Sequence, residues 1–199
     1  MEYAQITYII IRIMLLILDI DGVLTDGKKH YDQTGKCVLK SFNDRDFTAI
    51  KKFKAAGWIV VFLSGDPNIN EAIAKNRNIP FYTNRTDGVI KNKSTYVERF
   101  EHIYGIKRDE MVYVGDDIFD IGIMSAVKYK FCPHDSPRDV RNVPGVHVLS
   151  SKSGDNCLTE LFERLFYMKL VKSVTVEQVE ILDRNEKFWR SNLRSFKLW

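Results

Sequence analysis

A wholly apolar segment runs directly into two aspartates near the start of the chain. Residues 14–18 are all apolar, Asp19 and Asp21 follow one residue apart, and Gly22 comes next. A continuous apolar run is typical of a strand that is buried on both faces. Side chains alternate along a strand, so the two carboxylates converge at its end only if the chain turns at Gly22. We therefore predict a central strand whose carboxyl end presents a pair of acids.

The apolar character begins earlier, at Ile6, and extends to Ile20 with one interruption at Arg12. A signal or membrane segment is the alternative to a strand. No basic region precedes the run and no small-residue cleavage site follows it. Its uninterrupted part is also shorter than the roughly 20 residues that span a bilayer. We interpret it as a buried strand and expect no membrane association.

Short apolar segments alternate with amphipathic ones along most of the chain. The predicted buried strands are Met14–Ile20, Trp58–Ser64, Met111–Gly115 and Tyr129–Cys132. The predicted helices are Asp46–Ala56, Ile69–Asn76, Ser94–Tyr104, Ile118–Ser125 and Cys157–Met168. This alternation predicts an α/β fold, a doubly wound (Rossmann-like) parallel sheet with helices on both faces. Such sheets place their chemistry at the carboxyl ends of the strands.

Two segments lie outside this alternation. Short extended runs on either side of Gln33-Thr34-Gly35-Lys36, a turn signal, predict a β-hairpin flap at about residues 28–42, and we expect no large cap domain. We assign 1–168 to one domain and 169–199 to a helical extension. Within the extension, Thr175–Trp189 carries an apolar stripe formed by Val176, Val179, Leu182 and Phe188. The stripe can pack against its own domain or contact another subunit, and the sequence favours neither.

The composition excludes several classes of function. The net charge of +4 is spread along the chain without a basic block, so nucleic acid is not an expected partner. The three cysteines, Cys37, Cys132 and Cys157, are too few and too scattered for a disulfide framework or a zinc site. We interpret them as reduced thiols of a cytoplasmic protein.

Two polar signals point to phosphate binding. Ser64 and Gly65 end a predicted strand, where a hydroxyl and an amide can donate to phosphate oxygens, although Ser-Gly also marks ordinary turns. Lys93 opens a predicted helix, against the helix dipole. That placement favours a duty such as holding a phosphate over the alternative of a solvated surface lysine.

A second acidic cluster follows another buried strand. Asp116, Asp117 and Asp120 come directly after Gly115. Oxygen-rich clusters of this kind suit Mg²⁺. Asp117 alone could cap a helix, but capping does not account for three acids together. We predict that this cluster and the first pair of acids form a magnesium site.

These residue types together can transfer a phosphoryl group. Asp19 can attack phosphorus and form an acyl phosphate. Its charge would repel a phosphate about 4 Å away by roughly 4 kcal/mol at an effective dielectric near 20, which a bound Mg²⁺ offsets. Asp21 can protonate the leaving oxygen and then activate water, while Ser64 and Lys93 hold the transferring group.

In their order, the motifs resemble those of the haloacid dehalogenase (HAD) superfamily of phosphatases. Over roughly residues 14–168, the matching elements are Asp19-x-Asp21, Ser64, Lys93 and Gly115-Asp116-Asp117-x-x-Asp120. The resemblance implies that Asp19 is the nucleophile and Asp21 the acid/base. It implies that the metal is bound by the Asp19 carboxylate, the Asp21 backbone carbonyl and Asp116. It also implies supporting roles for Asp117, Asp120 and Asn92.

Within the superfamily, the chain is most similar to the group of 3-deoxy-D-manno-octulosonate 8-phosphate phosphatases and their nine-carbon sugar-acid relatives. The segments that carry this similarity are 21–27, 31–35, 42–46 and 92–93. The resemblance implies a homotetramer without large caps, in which a neighbour's flap covers each active site.

Three positions depart from the main group and are candidates for substrate specificity. The group usually carries an arginine where this chain has Asp66, and Arg-Asp-Gly where this chain has Arg45-Asp46-Phe47. A further arginine near the C-terminus is replaced by Thr159. We expect Asp66 to repel a sugar acid's carboxylate and to favour hydroxyl or nitrogen donors, which predicts weak activity on the eight-carbon acid.

The first hypothesis is therefore a Mg²⁺-dependent phosphatase of a small sugar-acid phosphate in surface-polysaccharide synthesis, acting through an aspartyl-phosphate intermediate. One alternative is a phosphatase of a nucleotide or heptose phosphate in capsule synthesis. The other is a catalytically silent scaffold subunit.

Overall fold

The structure is a computed structural model that describes residues 13–195, with side chains up to residue 186. Its strands are β1 Leu15–Leu18, β2 His30–Tyr31, β3 Cys37–Leu39, β4 Ile59–Ser64, β5 Phe81–Thr83, β6 Arg85–Thr86, β7 Val89–Ile90, β8 Met111–Val114, β9 Tyr129–Cys132 and β10 His147–Val148. Its α-helices are α1 Asp44–Ala55, α2 Asn68–Asn76, α3 Thr95–Tyr104, α4 Ile121–Ala126, α5 Arg138–Arg141, α6 Cys157–Tyr167 and α7 Val176–Ser195. A short 3₁₀ turn, Ile118–Asp120, precedes α4.

The central sheet is parallel throughout, in the order β10-β9-β8-β1-β4-β5. The predicted doubly wound α/β fold is confirmed. Strand β1 lies between β4 and β8, which follow it at very different points of the chain. The loops after these three strands therefore meet at one edge of the sheet, which is where such folds bind their ligands.

Side chains of β1 alternate between two buried layers, as the apolar run predicted. Leu16 and Leu18 face a layer that contains residues of α1 and α6. Leu15 and Ile17 face the opposite layer, which contains residues of α3 and α4. Burial on both faces explains why this strand carries no polar residue before Asp19.

Two small hairpins interrupt the described chain between the residues of the predicted motifs. The flap β2–β3 is antiparallel and lies between Asp21 and Ser64, as predicted. A second hairpin, β6–β7, lies between Ser64 and Lys93 and was not predicted. Neither insertion is as large as a domain, so the expectation of no large cap agrees with the chain between residues 13 and 195.

The C-terminal helix α7 lies against α1 of its own domain. Lys51 pairs with Asp183 at 2.8 Å, and Lys54 pairs with Glu186. Val176 remains exposed, so the predicted stripe is only partly covered. Phe188 and the apolar residues before Ile13 belong to the sequence predictions but lie outside the described side chains. Among the described residues, no helix is both long enough and apolar enough to cross a membrane.

Asp46 stabilises the domain and does not contribute to the pocket described below. It is buried in α1, and its Oδ1 accepts a hydrogen bond from the backbone N–H of Leu158 at 2.9 Å. This contact satisfies an N–H in the first turn of α6. Asp46 therefore caps a helix that begins more than one hundred residues later in the chain.

We expect Asp46→Ala to lower the free energy of unfolding by about 1–3 kcal/mol, because it leaves buried N–H groups unpaired. The matched control is Asp44→Ala, on the same helix, where the carboxylate is exposed and pairs with Arg77 at 3.3 Å. This surface pair should contribute less than about 1 kcal/mol. Urea titrations of both variants measure the difference, and equal losses would refute the capping role.

Candidate active site

The predicted catalytic residues converge on one pocket at the carboxyl ends of β1, β4 and β8. The pocket has a volume of about 320 Å³. Residues from all four predicted motifs line it, namely Asp19, Asp21, Ser64, Gly65, Lys93, Asp116 and Asp117. Residues separated by almost one hundred positions in sequence therefore share one site, because parallel strands end at the same edge.

Asp19 is the first residue after β1 and is buried. Its Oδ1 accepts a hydrogen bond from the backbone N–H of Ile20 at 2.7 Å, and its Oδ2 accepts one from Lys93 Nζ at 2.6 Å. Burial raises the pKa of Asp19 to about 6, and the nearby Asp120 carboxylate adds to the rise while Lys93 opposes it. The carboxylate is therefore fixed in orientation and poorly solvated, as a nucleophile requires.

Lys93 is enclosed in a polar network beneath the pocket. Its Nζ donates to Asp19 at 2.6 Å, to Asp120 Oδ1 at 2.6 Å and to the hydroxyl of Tyr113 at 3.2 Å. The Tyr113 hydroxyl donates in turn to Asp120 at 2.7 Å. Burial alone would lower the pKa of Lys93, but the two carboxylates outweigh it and raise that pKa above its usual value. Lys93 thus stays cationic beside the nucleophile, and sequence reasoning missed the part played by Tyr113.

One oxygen from each of Asp19, Asp116 and Asp120 lies within 4.8 Å of the others. Both oxygens of Asp120 are already occupied, because Oδ2 also accepts from the backbone N–H groups of Asp116 and Asp117 at 2.9 and 3.0 Å. In contrast, Asp116 Oδ1 is buried and has no hydrogen-bond partner among the described residues. This orphaned oxygen, in a cluster of carboxylates, fits a divalent cation held by Asp19 and Asp116.

The electrostatics of Asp116 support the same fit. Burial, together with the Asp19, Asp120 and Asp117 carboxylates, raises the pKa of Asp116 to about 8 in spite of the opposing charge of Lys93. Gly22 makes the approach possible, because a Cβ there would stand 1.9 Å from Asp116 Oδ2, and its φ of +81° also favours glycine. The glycine in the turn after Asp19 and Asp21 therefore leaves the space that the Asp116 carboxylate occupies.

Asp21 is held by groups that the sequence did not single out. Lys40 Nζ, at the base of the flap, lies 2.8 Å from Asp21 Oδ1 and 3.0 Å from Oδ2. Asn70 Nδ2 donates to Asp21 Oδ2 at 3.1 Å, and Lys29 Nζ lies 3.3 Å from the same oxygen. Asn70 is fully buried on the inner face of α2, and a polar residue at an inward-facing position is the sequence signal that could have revealed it.

Asn70 also orients Ser64. Its Nδ2 donates to Ser64 Oγ at 3.0 Å, so the serine oxygen acts as an acceptor there. A hydroxyl has one donor and two acceptor positions. The hydrogen of Ser64 therefore remains available to donate to a phosphate oxygen, in agreement with the predicted role.

Asp66 was predicted to repel a sugar acid's carboxylate, but its own charge is paired with two lysines. Its Oδ2 accepts from Lys29 Nζ and from Lys40 Nζ, both at 2.9 Å. Burial would raise the pKa of Asp66, but the two ammonium groups outweigh it and hold that pKa below its usual value. Because this charge is compensated, weak activity on an eight-carbon sugar acid no longer follows from it.

The remaining predicted residues divide into two sets. Asn92 supports the site from below, since its Oδ1 accepts from the backbone N–H of Ser94 at 2.9 Å and holds the start of α3 after Lys93. Arg45 and Thr159, proposed as specificity candidates, do not line the pocket in the described chain. Their helices α1 and α6 pack against each other, and Asp46 links them through its hydrogen bond to Leu158.

Known proteins that are similar to this chain were found by sequence and by structure. The chain is 32% identical over 165 residues to the 3-deoxy-D-manno-octulosonate 8-phosphate phosphatase KdsC of Haemophilus influenzae, covering 82% of this chain and 88% of that one. It is 30% identical to KdsC of Salmonella typhi over 58% of this chain and 60% of that one. No family model matches the chain.

Solved structures agree with this similarity. The cobalt-bound deoxy-D-mannose-octulosonate 8-phosphate phosphatase of H. influenzae superimposes with a TM-score of 0.70 at 31% identity, over 79% of this chain and 89% of that one. The Moraxella catarrhalis enzyme, solved with magnesium, phosphate and KDO, has a TM-score of 0.69 at 22% identity, over 78% and 87%. The latter likeness shows the common fold.

Proposed function

Because the chain belongs to the HAD superfamily, as a KdsC-like phosphatase, we propose that it hydrolyses 3-deoxy-D-manno-octulosonate 8-phosphate or a close sugar-acid relative in surface-polysaccharide synthesis. The observation that carries the proposal is the pocket itself. It brings a buried carboxylate, Asp19, together with a second carboxylate, Asp21, and the phosphate-binding candidates Ser64 and Lys93. The names of the relatives supply the substrate class, and the intact pocket supplies the chemistry.

In the first half of the reaction, an Asp19 oxygen forms a bond to phosphorus while the ester bond to the leaving oxygen breaks. Asp21 gives a proton to that leaving oxygen. Ser64 donates to a non-bridging phosphate oxygen, and Lys93 supplies positive charge beside these oxygens. Asn70 and Asp120 respectively fix the positions of the two side chains before substrate arrives. The product of this half is an aspartyl phosphate at Asp19.

In the second half, Asp21 takes a proton from a water molecule that attacks the phosphorus and releases Asp19. The residues that would hold a cation are Asp19, the Asp21 backbone carbonyl and Asp116, with Asp117 and Asp120 orienting them. When bound there, Mg²⁺ would supply positive charge that offsets the repulsion between the site carboxylates and the phosphate.

A phosphate-release assay over a panel of substrates tests this function. The panel contains the eight-carbon acid phosphate, a nine-carbon acid phosphate, a heptose phosphate and a nucleotide. We expect the highest kcat/KM with one of the two sugar acids. A heptose phosphate or nucleotide preferred by tenfold or more, about 1.4 kcal/mol, would overturn the substrate assignment. Absence of release from every compound would indicate a silent scaffold.

We also propose a homotetramer in which the flap β2–β3 covers a neighbour's active site. The flap exposes Tyr31, Val38 and Leu39, and these apolar side chains supply a surface that a neighbouring subunit would cover. The cytoplasmic location remains a prediction. The three cysteines, which were predicted to be reduced, are free thiols.

We expect sedimentation velocity to show a tetramer at assay concentration. Val38→Asp should shift the chain toward smaller species and lower its activity together, because a charge is costly in a buried interface. Thr34→Asp, at the turn of the same hairpin, controls for the added charge. An active monomer of the unaltered chain would rule out this assembly.

A further inference from the structure

A charged pair in the pocket, Lys29 and Asp66, is not used by the phosphoryl-transfer chemistry. Lys29 Nζ lies 2.9 Å from Asp66 Oδ2 and 3.3 Å from Asp21 Oδ2, and all three residues line the pocket. Asp21 is the residue that protonates the leaving oxygen. The pair therefore lies where the carbon chain of the leaving group begins.

Lys29 differs from the neighbouring Lys40 in its access to the pocket. The Lys40 side chain is 1% exposed, and Asp21, Asp66 and Asn70 all contact its ammonium group. The Lys29 side chain is 26% exposed and has two carboxylate contacts, while an ammonium group has three donors. Lys40 neutralises the buried side of the cluster, and Lys29 retains the capacity to donate to a ligand.

Asp66 retains the complementary capacity. Both lysines contact its Oδ2, whereas Oδ1 accepts only from Asn68 Nδ2 at 3.4 Å among the described residues. A carboxylate offers about four lone-pair positions, so Oδ1 can accept a further hydrogen bond. Lys29, as a donor, and Asp66, as an acceptor, therefore lie side by side and next to Asp21, the proposed acid/base.

We infer that Lys29 and Asp66 form a specificity subsite for a hydroxyl group on the carbon adjacent to the phosphate-bearing carbon. Lys29 donates to the hydroxyl oxygen, and Asp66 accepts the hydroxyl hydrogen. A hydroxyl uses both partners, whereas a carboxylate can accept from Lys29 but has no hydrogen to donate to Asp66. The inference rests on the proposed function, since 3-deoxy-D-manno-octulosonate 8-phosphate carries a hydroxyl on carbon 7 and its carboxylate at the far end of the molecule.

The test uses three substrates, namely the octulosonate 8-phosphate, D-arabinitol 5-phosphate and 4-deoxy-arabinitol 5-phosphate. The two pentitols lack a carboxylate and differ only in the hydroxyl next to the phosphate-bearing carbon. For the unaltered chain, we expect kcat/KM to be at least about tenfold higher with the hydroxyl than without it, since buried polar groups penalise an analogue that leaves them unpaired. The measured quantity is the ratio of kcat/KM for the pentitol with this hydroxyl to kcat/KM for the pentitol without it. A general loss of activity in a variant therefore cancels from the ratio.

Lys29→Met should reduce this ratio to about one and should lower kcat/KM for the octulosonate by a similar factor. Lys29→Arg keeps donors and should keep most of the ratio. Lys28→Met is the matched control, because Lys28 is adjacent in sequence, 81% exposed and paired only with Asp26 among the described residues. Its ratio should stay within about twofold of the unaltered value.

An unchanged ratio in Lys29→Met would overturn the subsite and leave Lys29 as a residue that only orients Asp21. A loss confined to the octulosonate would also overturn it, because Lys29 would then bind the carboxylate. A separate result decides the proposed function. It fails if the unaltered chain does not prefer the octulosonate 8-phosphate over D-arabinitol 5-phosphate. The two pentitols still decide the subsite in that case.

Discussion

Asp19→Asn should abolish phosphate release, with a loss of at least about 10⁴-fold, because an amide cannot form the acyl phosphate. The substitution preserves volume at a buried position where one oxygen accepts from Lys93 and the other from the N–H of Ile20. Lys93 keeps its contact with Asp120, so no buried cation is left without a partner. Single-turnover assays over a long time course would measure the residual rate.

The stability of this variant separates a chemical effect from unfolding. Folding raises the pKa of Asp19 to about 6, so the metal-free folded chain holds the ionised carboxylate less favourably than the unfolded chain does. This destabilisation of the folded chain is fully present above about pH 6, where Asp19 is ionised. The neutral amide of the Asp19→Asn variant removes it. We expect thermal unfolding of Asp19→Asn at pH 7, in chelator, at or above the temperature of the unaltered chain. Near-normal phosphate release by this variant would refute the covalent mechanism.

Removal of divalent cations should eliminate activity, and Mg²⁺ should restore it. The expectation follows from the buried, unpartnered Oδ1 of Asp116 beside Asp19. Asp116→Ala should raise the Mg²⁺ concentration for half-maximal activity by at least about 10²-fold, since even residues that only orient metal ligands contribute 10–100-fold. Asp117→Ala is the comparison, because Asp117 is exposed and its Oδ1 accepts from the N–H of Ile118, and it should have a smaller effect.

The pH dependence of Mg²⁺ binding provides a further check. Burial and the neighbouring acids raise the pKa of Asp116 to about 8. Below this value the metal competes with a proton, so the apparent affinity for Mg²⁺ should fall as pH decreases from 8.5 to 6.5. Titrations at both pH values would measure it. Full activity of the chelated protein, or tighter binding at the lower pH, would contradict the assignment of Asp19 and Asp116 as ligands.

The sequence was sufficient to predict the central fold because its strands are long enough and apolar enough to be recognised. The predicted segments Trp58–Ser64 and Tyr129–Cys132 correspond closely to β4 and β9. The edge strands β5 and β10 have three and two residues and no apolar periodicity, so no local signal distinguished them from loops. The small hairpin β6–β7 was missed for the same reason.

The active site was predictable where polar residues interrupt a buried pattern. Asp19 and Asp116 directly follow apolar strands, and Lys93 opposes a helix dipole, so each conflicts with its local context. Lys29 and Lys40 have no such conflict, because a lysine in a flap reads as a solvated residue. Their roles depend on contacts with Asp21 and Asp66 that only the folded chain creates. The pairing of Asp66 with two lysines was missed for this reason.

The most direct test of the account concerns the aspartyl phosphate at Asp19. In Asp21→Asn, p-nitrophenyl phosphate is the suitable substrate, because its leaving group departs without a proton from the protein. Formation of the intermediate should then continue, while its hydrolysis slows by at least about 10²-fold for lack of a general base. Rapid mixing should show a burst of about one p-nitrophenolate per active site.

Borohydride quenching during this burst reduces an acyl phosphate to an alcohol, and peptide mass spectrometry locates the reduced residue. The account predicts homoserine at position 19, absent when substrate is omitted. A chain without a burst and without reduction at position 19, or one reduced at a different aspartate, would contradict Asp19 as the nucleophile.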